Sequence, residues 1–235
     1  MDVASISDRG LVRQANEDSY IASPSQGLFV ICDGMGGHRA GGVASRLVVE
    51  VFNQIMASTA PDCPKDILWR CIIQANLLIL TRGMENPEWH GMGTTVTAAL
   101  LQDKHLTVAN VGDSSLYLLR GEFIRKITRD HTLAEEMVKD GLLKPEEIRS
   151  SHFNHILTRA LGVEEEVEID YFEEDLQPGD GMVLCSDGLS DLLTEADLAG
   201  IMQQHPDLSE AARALVKAAL DRGGHDNVTV ILVRI

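Results

Sequence analysis

The chain has 235 residues, of which 44% are hydrophobic and 24% are charged, a composition typical of a soluble globular domain. Its 36 acidic and 20 basic residues give a formal net charge of −16, which argues against nucleic-acid binding and against docking on an anionic membrane. The four cysteines form no CxxC pair, so neither a disulfide framework nor a zinc site is indicated. No signal peptide or apolar run of ~20 residues is visible, which predicts a cytoplasmic protein.

Short apolar or alternating runs that are rich in β-branched residues predict nine strands. They cover residues 2–7, 28–32, 94–101, 106–111, 116–120, 123–127, 167–172, 182–185 and 228–235. Apolar residues that recur at intervals of three and four predict helices at 42–57, 65–82, 195–203 and 209–222. The short polar connections at 102–105 and around Gly121 require antiparallel hairpins. The pattern therefore predicts an α+β fold with antiparallel sheet.

One stretch, residues 132–166, differs from the rest. It is polar and helical in character, contains Pro145, and lies between two groups of strands. Such an insertion is able to form a lid over a neighbouring site. No internal repeat or Pro/Gly/Ser linker divides the remaining chain, so a single domain over residues 1–235 is predicted.

Three predicted strands end at an aspartate, Asp33, Asp113 or Asp187, and a fourth aspartate, Asp226, precedes the last strand. Strand ends in a common sheet lie at a common rim, where carboxylates repel one another unless cations lie among them. Magnesium and manganese prefer such oxygen ligands. Asp-Gly is also a common turn dipeptide, so any one of these aspartates alone is explained by a turn. Taken as a set, they predict a site for divalent cations.

Eight short motifs follow one another along the chain. They are Asp8-Arg9-Gly10 with Arg13-Gln14-Ala15-Asn16-Glu17-Asp18, Asp33-Gly34-Met35-Gly36-Gly37-His38, Gly93-Thr94-Thr95, Val111-Gly112-Asp113-Ser114, Asp130-His131-Thr132, Leu161-Gly162, Ser186-Asp187-Gly188-Leu189 and Gly223-Gly224-His225-Asp226-Asn227-Val228-Thr229. In this order they resemble the metal-dependent protein phosphatases (PPM family, type 2C serine/threonine phosphatases) in their compact bacterial form. The resemblance implies two stacked antiparallel β-sheets flanked by helices on both sides, an αββα sandwich, with residues 132–166 as a helical flap that contributes to substrate choice.

The resemblance also implies two Mn²⁺ or Mg²⁺ ions per chain. Carried over by motif, Asp33 bridges both ions, and the carbonyl of Gly34 serves the first. Asp187 and Asp226 serve the second ion.

Further positions follow from the same resemblance. Asp18, alone or with Glu17, holds metal-bound waters without touching an ion. Asp113, together with Asp187, holds a third and weaker ion that bacterial relatives often bind.

The implied activity is hydrolysis of phosphoserine and phosphothreonine in proteins. Two metal ions acidify a bridging water and neutralise phosphate oxygens, which predicts in-line attack of the resulting hydroxide on phosphorus. By motif, Arg13 clamps the phosphate, because a guanidinium pairs with two oxygens; on the residue alone, a surface salt bridge is the alternative. Met35 stands where many eukaryotic relatives have a histidine general acid. His38 or a metal-bound water is the replacement, and a structural or substrate-contact role for His38 stays open.

Four neighbouring residues are expected to have positioning or packing roles. Asn227 is expected to orient Asp226. His131 is expected to pack structurally, and Thr94 and Thr95 to pack within a strand.

Two other functions stay open at this point. A regulatory pseudophosphatase scaffold would keep the fold without turnover, and a metallohydrolase of small phosphate esters would use the same centre. The expected partner is a phosphoprotein substrate, with the enzyme opposing a serine/threonine kinase. No nucleic-acid or membrane partner is expected, and a monomer is the default.

Overall fold

The computed structural model describes residues 1–36, 40–58 and 63–235, so His38 lies outside the described residues. The strands in chain order are β1 (Asp2–Asp8), β2 (Ser19–Ser23), β3 (Leu28–Cys32), β4 (Gly34–Met35), β5 (Gly93–Thr94), β6 (Val96–Gln102), β7 (His105–Val111), β8 (Ser115–Arg120), β9 (Phe123–Lys126), β10 (Asp170–Asp175), β11 (Gly181–Cys185) and β12 (Val228–Arg234). The helices are α1 (Gly41–Ser58), α2 (Pro64–Glu85), α3 (Leu133–Lys139), α4 (Asp187–Ser190), α5 (Glu195–Gln204) and α6 (Leu208–Asp221). Short 3-10 helices occupy Pro87–Trp89 and Pro145–Ser150. In the ranges described, no helix has both the length and the apolar character needed to cross a membrane.

Two five-stranded antiparallel sheets form the centre of the molecule. Their strand orders are β1-β12-β11-β8-β9 and β10-β7-β6-β3-β2, and β4 pairs with β5 in a separate ribbon. One apolar cluster contains Phe29 and Ile31 from the second sheet with Leu116, Leu184 and Ile231 from the first. The two sheets therefore face each other across a shared core.

Helices cover the outer face of each sheet. Val48 of α1 and Ile72 of α2 share a cluster with Val30 of β3, and Leu215 of α6 shares another with Val183 of β11. Because β3 and β11 are thus covered on both faces, they are buried along their whole length and read as continuous apolar runs in the sequence. The layer order is helices, sheet, sheet, helices.

The predicted elements are present, with several differences. The strand expected at 94–101 is divided, since Gly93–Thr94 pairs with the unpredicted β4 and Val96–Gln102 joins the second sheet. Strand β2 was not predicted, since its sequence Ser-Tyr-Ile-Ala-Ser is short, polar at both ends and forms the sheet edge. The strand expected at 167–172 lies at Asp170–Asp175, because Val167 and Ile169 pack on the helix-side core without joining the ladder. The four-residue α4 was too short to be predicted from periodicity.

Residues 132–166 contain α3 and the 3-10 helix Pro145–Ser150, so the expected helical insertion is present. An isolated bridge joins Thr132, at the start of the segment, to Leu157. The far end of the segment is tied to the body of the protein by Arg149, whose Nη2 donates to the carbonyls of Ser190 (3.1 Å) and Leu193 (2.9 Å).

Candidate metal centre

Four aspartates from separate strand ends meet in one cleft of about 450 Å³. Asp33 follows β3, Asp113 follows β7, Asp187 opens α4 directly after β11, and Asp226 precedes β12. The cleft is also lined by Arg13, Glu17, Gly34, Met35, Gly36, Thr95, His155, Leu157 and His225. The expected convergence is therefore present, but it joins two sheets and not one, because β3 and β7 belong to one sheet and β11 and β12 to the other.

The carboxylates of this cleft repel one another. Burial raises the pKa of Asp33 well above its ordinary value, and the charges of Asp18, Asp187 and Asp113 raise it further. Burial likewise raises the pKa of Asp187, with added repulsion from Asp113, Asp191 and Asp226. Such a group of buried carboxylates is stable in its charged form only beside cations.

The environment of one carboxylate oxygen supports the same conclusion. Oδ1 of Asp187 is buried, and among the described residues it has no hydrogen-bond partner. A buried carboxylate oxygen without a donor is costly, and a divalent cation is one partner that satisfies it. The donor set consists of hard oxygens, which is the chemistry that Mn²⁺ and Mg²⁺ require. The residues present therefore fit these ions.

The backbone around Asp33 is held by the threonines of the neighbouring strand. The Asp33 N–H donates to Oγ1 of Thr95 (2.9 Å), and Oγ1 of Thr94 donates to the Asp33 carbonyl (2.8 Å). Thr94 and Thr95 thus do more than pack. Next in sequence, Gly34 lies so close to α1 that an added Cβ would stand 2.3 Å from the Gly41 carbonyl oxygen. Any residue with a side chain would therefore clash here, and only glycine fits. Having no side chain, Gly34 lines the cleft with its backbone.

Asp18 lies near Asp33 but is not among the residues that line the cleft. Its Oδ2 accepts hydrogen bonds from Ser186 Oγ (2.8 Å) and Thr229 Oγ1 (2.6 Å). Its Oδ1 is buried and without a hydrogen-bond partner in the described part of the chain. Burial raises the pKa of Asp18 to about 6 against the effect of the two hydroxyls. Glu17 lines the cleft beside it.

Arg13 lies at the rim of the same cleft. Its Nη2 is 2.5 Å from Oδ2 of Asp226, and its side chain is 54% exposed. The ion pair that the residue alone suggested is thus present, and its partner is a residue of the predicted metal site. This places a guanidinium at the opening of an acidic cleft, where phosphate oxygens would arrive.

The side chain of Asn227 holds the segment that carries Arg13. Its Nδ2 donates to the carbonyls of Arg9 (2.8 Å) and Ala15 (3.0 Å), and its Oδ1 accepts from the Glu17 N–H (2.8 Å). Only the backbone N–H of Asn227 contacts Asp226, at 2.8 Å from Oδ1. The expected contact with Asp226 therefore comes from the backbone, and the amide side chain serves the N-terminal segment.

His131 braces the turn before Asp113. Its Nδ1 accepts from the Gly112 N–H (3.1 Å), and its Nε2 lies 3.2 Å from Oδ2 of Asp170 and 3.2 Å from Nη1 of Arg159. Burial lowers the pKa of His131. The arrangement agrees with the structural role expected from the sequence.

Two residues at the site were not found from the sequence. Ligand atoms of His155, Asp187 and Asp191 lie within 4.8 Å of one another. Asp191 follows Asp187 by four residues, a helical spacing that puts both on one face and was a usable signal. His155 lies in the 132–166 insertion, and only the docking of that segment brings it to the cleft, through its Nδ1 at 3.2 Å from Asp191 Oδ2. No sequence pattern indicated that contact.

Comparison with known proteins supports the resemblance drawn from the motifs. Residues 7–222 match the family described as Protein phosphatase 2C. The chain is 37% identical over 233 residues to the serine/threonine phosphatase stp of Listeria innocua, covering 96% of this chain and 92% of that protein.

Solved structures agree with the fold. A crystal structure of the Mycobacterium tuberculosis serine/threonine phosphatase PstP/Ppp superposes with a TM-score of 0.93 at 37% identity, covering 100% of this chain and 98% of that one. The catalytic domain of PstP in complex with two manganese ions gives a TM-score of 0.89 at 38% identity, covering 98% and 96%. The predicted sandwich of two sheets between helical layers is confirmed.

Proposed function

The chain belongs to the protein phosphatase 2C family, and from its cleft we infer that it is a metal-dependent phosphatase of phosphoserine and phosphothreonine in proteins. The observation that carries this proposal is the meeting of Asp33, Asp187 and Asp226 in one cleft with Arg13 at its rim. Relatives named as serine/threonine phosphatases and a relative's structure with two manganese ions support it.

Asp33, the Gly34 carbonyl, Asp187 and Asp226 would hold two manganese or magnesium ions. When bound, such a pair supplies an acidified water and neutralises phosphate oxygens. Asp18 would hold coordinated waters in place, because Ser186 and Thr229 fix its orientation.

A third and weaker ion is proposed beside Asp113 and Asp187. The grouping of His155 and Asp191 next to Asp187 supports a site on that side of the cleft.

The remaining side chains bind and position the phosphate. Arg13 is proposed to exchange its contact with Asp226 for two phosphate oxygens, which its planar fork suits better than a lysine would. Met35 lines the cleft and has no proton to give, so it does not serve as the general acid. His38 stays the proposed proton donor to the leaving serine or threonine oxygen, with bound water as the alternative.

Other parts of the proposal concern the whole protein. Residues 1–235 are proposed to form one catalytic domain in which 132–166 is the flap that influences substrate choice. A cytoplasmic monomer that opposes a serine/threonine kinase is the expected setting. A pseudophosphatase scaffold is disfavoured, because the four aspartates and Arg13 are all retained. A small-ester metallohydrolase uses the same centre, and only relative kcat/KM separates it from a protein phosphatase.

The test is phosphate release from a phosphothreonine peptide and from an aryl phosphate. Activity is measured with Mn²⁺, with EDTA, and in an Asp33→Ala variant whose fold is checked by circular dichroism. We expect activity that requires Mn²⁺, is lost in the variant, and has the higher kcat/KM on the peptide. Activity that survives both EDTA and the substitution contradicts the metal centre. Preference for the aryl phosphate over every phosphopeptide favours the small-ester alternative.

A further inference from the structure

Two apolar side chains stand in solvent directly beside Arg13. Leu11 is 64% exposed and Val12 is 63% exposed. Exposed apolar residues are common singly, but these two are consecutive and lead into a residue that lines the cleft. Leu11 and Val12 do not themselves line the cleft, so they form an apolar surface next to it in the chain and outside it.

The segment that carries them is fixed at several points. Gly10 has φ +76°, and an added Cβ there would stand 2.1 Å from the Asp226 carbonyl oxygen. The Leu11 N–H donates to the Gly224 carbonyl at 2.8 Å. Asn227 holds the carbonyls of Arg9 and Ala15 on either side. The exposure of Leu11 and Val12 is therefore set by an anchored backbone, and ordering such a surface in advance reduces the entropy lost on binding.

We propose that Leu11 and Val12 form a docking edge for an apolar side chain of the phosphoprotein substrate, near the phosphorylated residue. The inference rests on the proposed function, since it needs phosphate in the cleft. Consecutive Cα atoms lie ~3.8 Å apart and an extended peptide advances ~3.3 Å per residue. The Cα atoms of Leu11 and Val12 therefore lie at most ~7.6 Å from that of Arg13, a span that an extended substrate crosses in two or three residues. The proposed contact is accordingly with a substrate residue within about three positions of the phosphorylated one.

An apolar neighbour fits this edge better than an acidic one. Glu17 and Asp226 line the cleft next to Arg13, and the whole chain carries a net charge of −16. An acidic side chain placed here would be repelled, whereas an apolar one removes surface from water on both partners. The substrate class is thus phosphoserine or phosphothreonine followed or preceded closely by a large apolar residue.

The test uses phosphothreonine peptides with alanine at the three positions on each side, in which one alanine at a time is replaced by leucine. Leucine and alanine are both uncharged, so a difference in kcat/KM between their peptides does not come from repulsion or attraction by the acidic cleft. The values of kcat/KM are measured for the wild type, for Leu11→Ser with Val12→Ser, for each single variant, and for Phe123→Ser. Phe123 is 84% exposed at the start of β9, does not line the cleft, and serves as the matched control.

We expect at least one leucine position to raise kcat/KM about tenfold in the wild type and in the Phe123→Ser control. The double variant should lose that preference while its rate on an aryl phosphate stays within about twofold of wild type. The single variants should fall between, which keeps the test valid if the double variant folds poorly.

Three outcomes overturn the inference. They are an absence of any leucine preference in the wild type, a preference that survives in the double variant, and an equal loss on peptide and aryl phosphate. A fourth outcome also overturns it. If sedimentation shows a wild-type dimer that the double substitution disrupts, the edge belongs to the contact with a second copy of the chain. Failure to hydrolyse any phosphopeptide, with the aryl phosphate still cleaved, contradicts the proposed function itself and is distinct from these results.

Discussion

A buried aspartate, Asp180, precedes strand β11 and a partly buried one, Asp187, follows it, and the surroundings of the two carboxylates are opposite. Before the strand, Asp180 is 2% exposed. It accepts from Arg120 Nη2 (2.7 Å), from Arg120 Nε (3.0 Å) and from the Gln177 N–H (2.8 Å). Burial alone would raise the pKa of Asp180, but these donors outweigh it and bring the pKa below its ordinary value.

After the strand, Asp187 has acidic neighbours instead. Burial and the charges of Asp113, Asp191 and Asp226 raise its pKa, and its Oδ1 is buried without a partner in the described ranges. The difference separates two uses of a buried carboxylate. At one end the chain supplies the cation itself, so the charge serves stability. At the other end the proposed metal ions would supply the cation from solution, so that the charge would serve binding and catalysis.

The largest effect expected from this contrast is on activity. Asp187→Asn should lower kcat/KM with saturating Mn²⁺ by more than about 10²-fold, because a ligand of the proposed centre is lost. Asp180→Asn changes the same chemical group on the same strand and should keep kcat/KM within about threefold at a temperature where the variant is folded. Steady-state kinetics on a phosphothreonine peptide provide both numbers. Equal losses of kcat/KM in the two variants would contradict the assignment of different roles to Asp180 and Asp187.

Metal binding should stabilise the fold through one end only. Mn²⁺ at about 100 times its Kd adds ~2.7 kcal/mol to the free energy of unfolding if it binds only the folded chain. Thermal melting with Mn²⁺ and with EDTA measures this as a difference in Tm. Asp180→Asn should leave that difference intact, while Asp187→Asn should shrink it. A wild-type Tm that is indifferent to EDTA argues against a buried divalent site.

The ion pair between Asp180 and Arg120 should determine part of how the free energy of unfolding changes at acid pH. Asp180→Asn weakens hydrogen bonds to a charged group, and we expect a loss of ~2 kcal/mol at pH 7, discounted because Arg120 is partly exposed. Since the folded-state pKa of Asp180 is lowered, its contribution is full above the unfolded value of ~3.9 and is lost progressively as pH falls from there through the lower folded-state value.

Urea denaturation at pH 7 and near pH 3 measures this change. The curves of wild type and Asp180→Asn should differ at the first pH and approach each other at the second. A difference that is constant with pH would assign the loss to packing and not to charge.

Much of this contrast was readable from the sequence, because it depends on local patterns. The run from Val183 to Cys185 is apolar and ends at Ser186-Asp187-Gly188, which predicted both the buried strand and the acidic rim. The pattern placed the aspartates at the rim of one sheet, whereas they come from two stacked sheets, β3 and β7 in one and β11 and β12 in the other. Their convergence therefore also depends on how the sheets stack, which the sequence pattern did not specify.

What could not be predicted depends on contacts between distant segments. The pairing of Arg120 with Asp180 spans 60 positions, and the placement of His155 beside Asp191 depends on how residues 132–166 dock. The sequence around an aspartate at a strand end does not indicate whether a distant residue of opposite charge pairs with it in the fold. The side chain of Asn227 also follows no local rule, since its bonds reach back about 210 residues.

The smallest effect concerns the arginine at each end. Arg120 is held by the carboxylate it neutralises, whereas Arg13 is 54% exposed and its segment is held by the amide of Asn227. If Asn227 acts by positioning Arg13, Asn227→Ala should raise KM for an aryl phosphate about fivefold to tenfold with a smaller change in kcat. In an Arg13→Ala background the same substitution should add little, because the residue to be positioned is gone. Effects that multiply fully in the double variant would show that Asn227 acts instead through Asp226, and a matching loss of Mn²⁺ affinity by titration would locate that action in the metal centre.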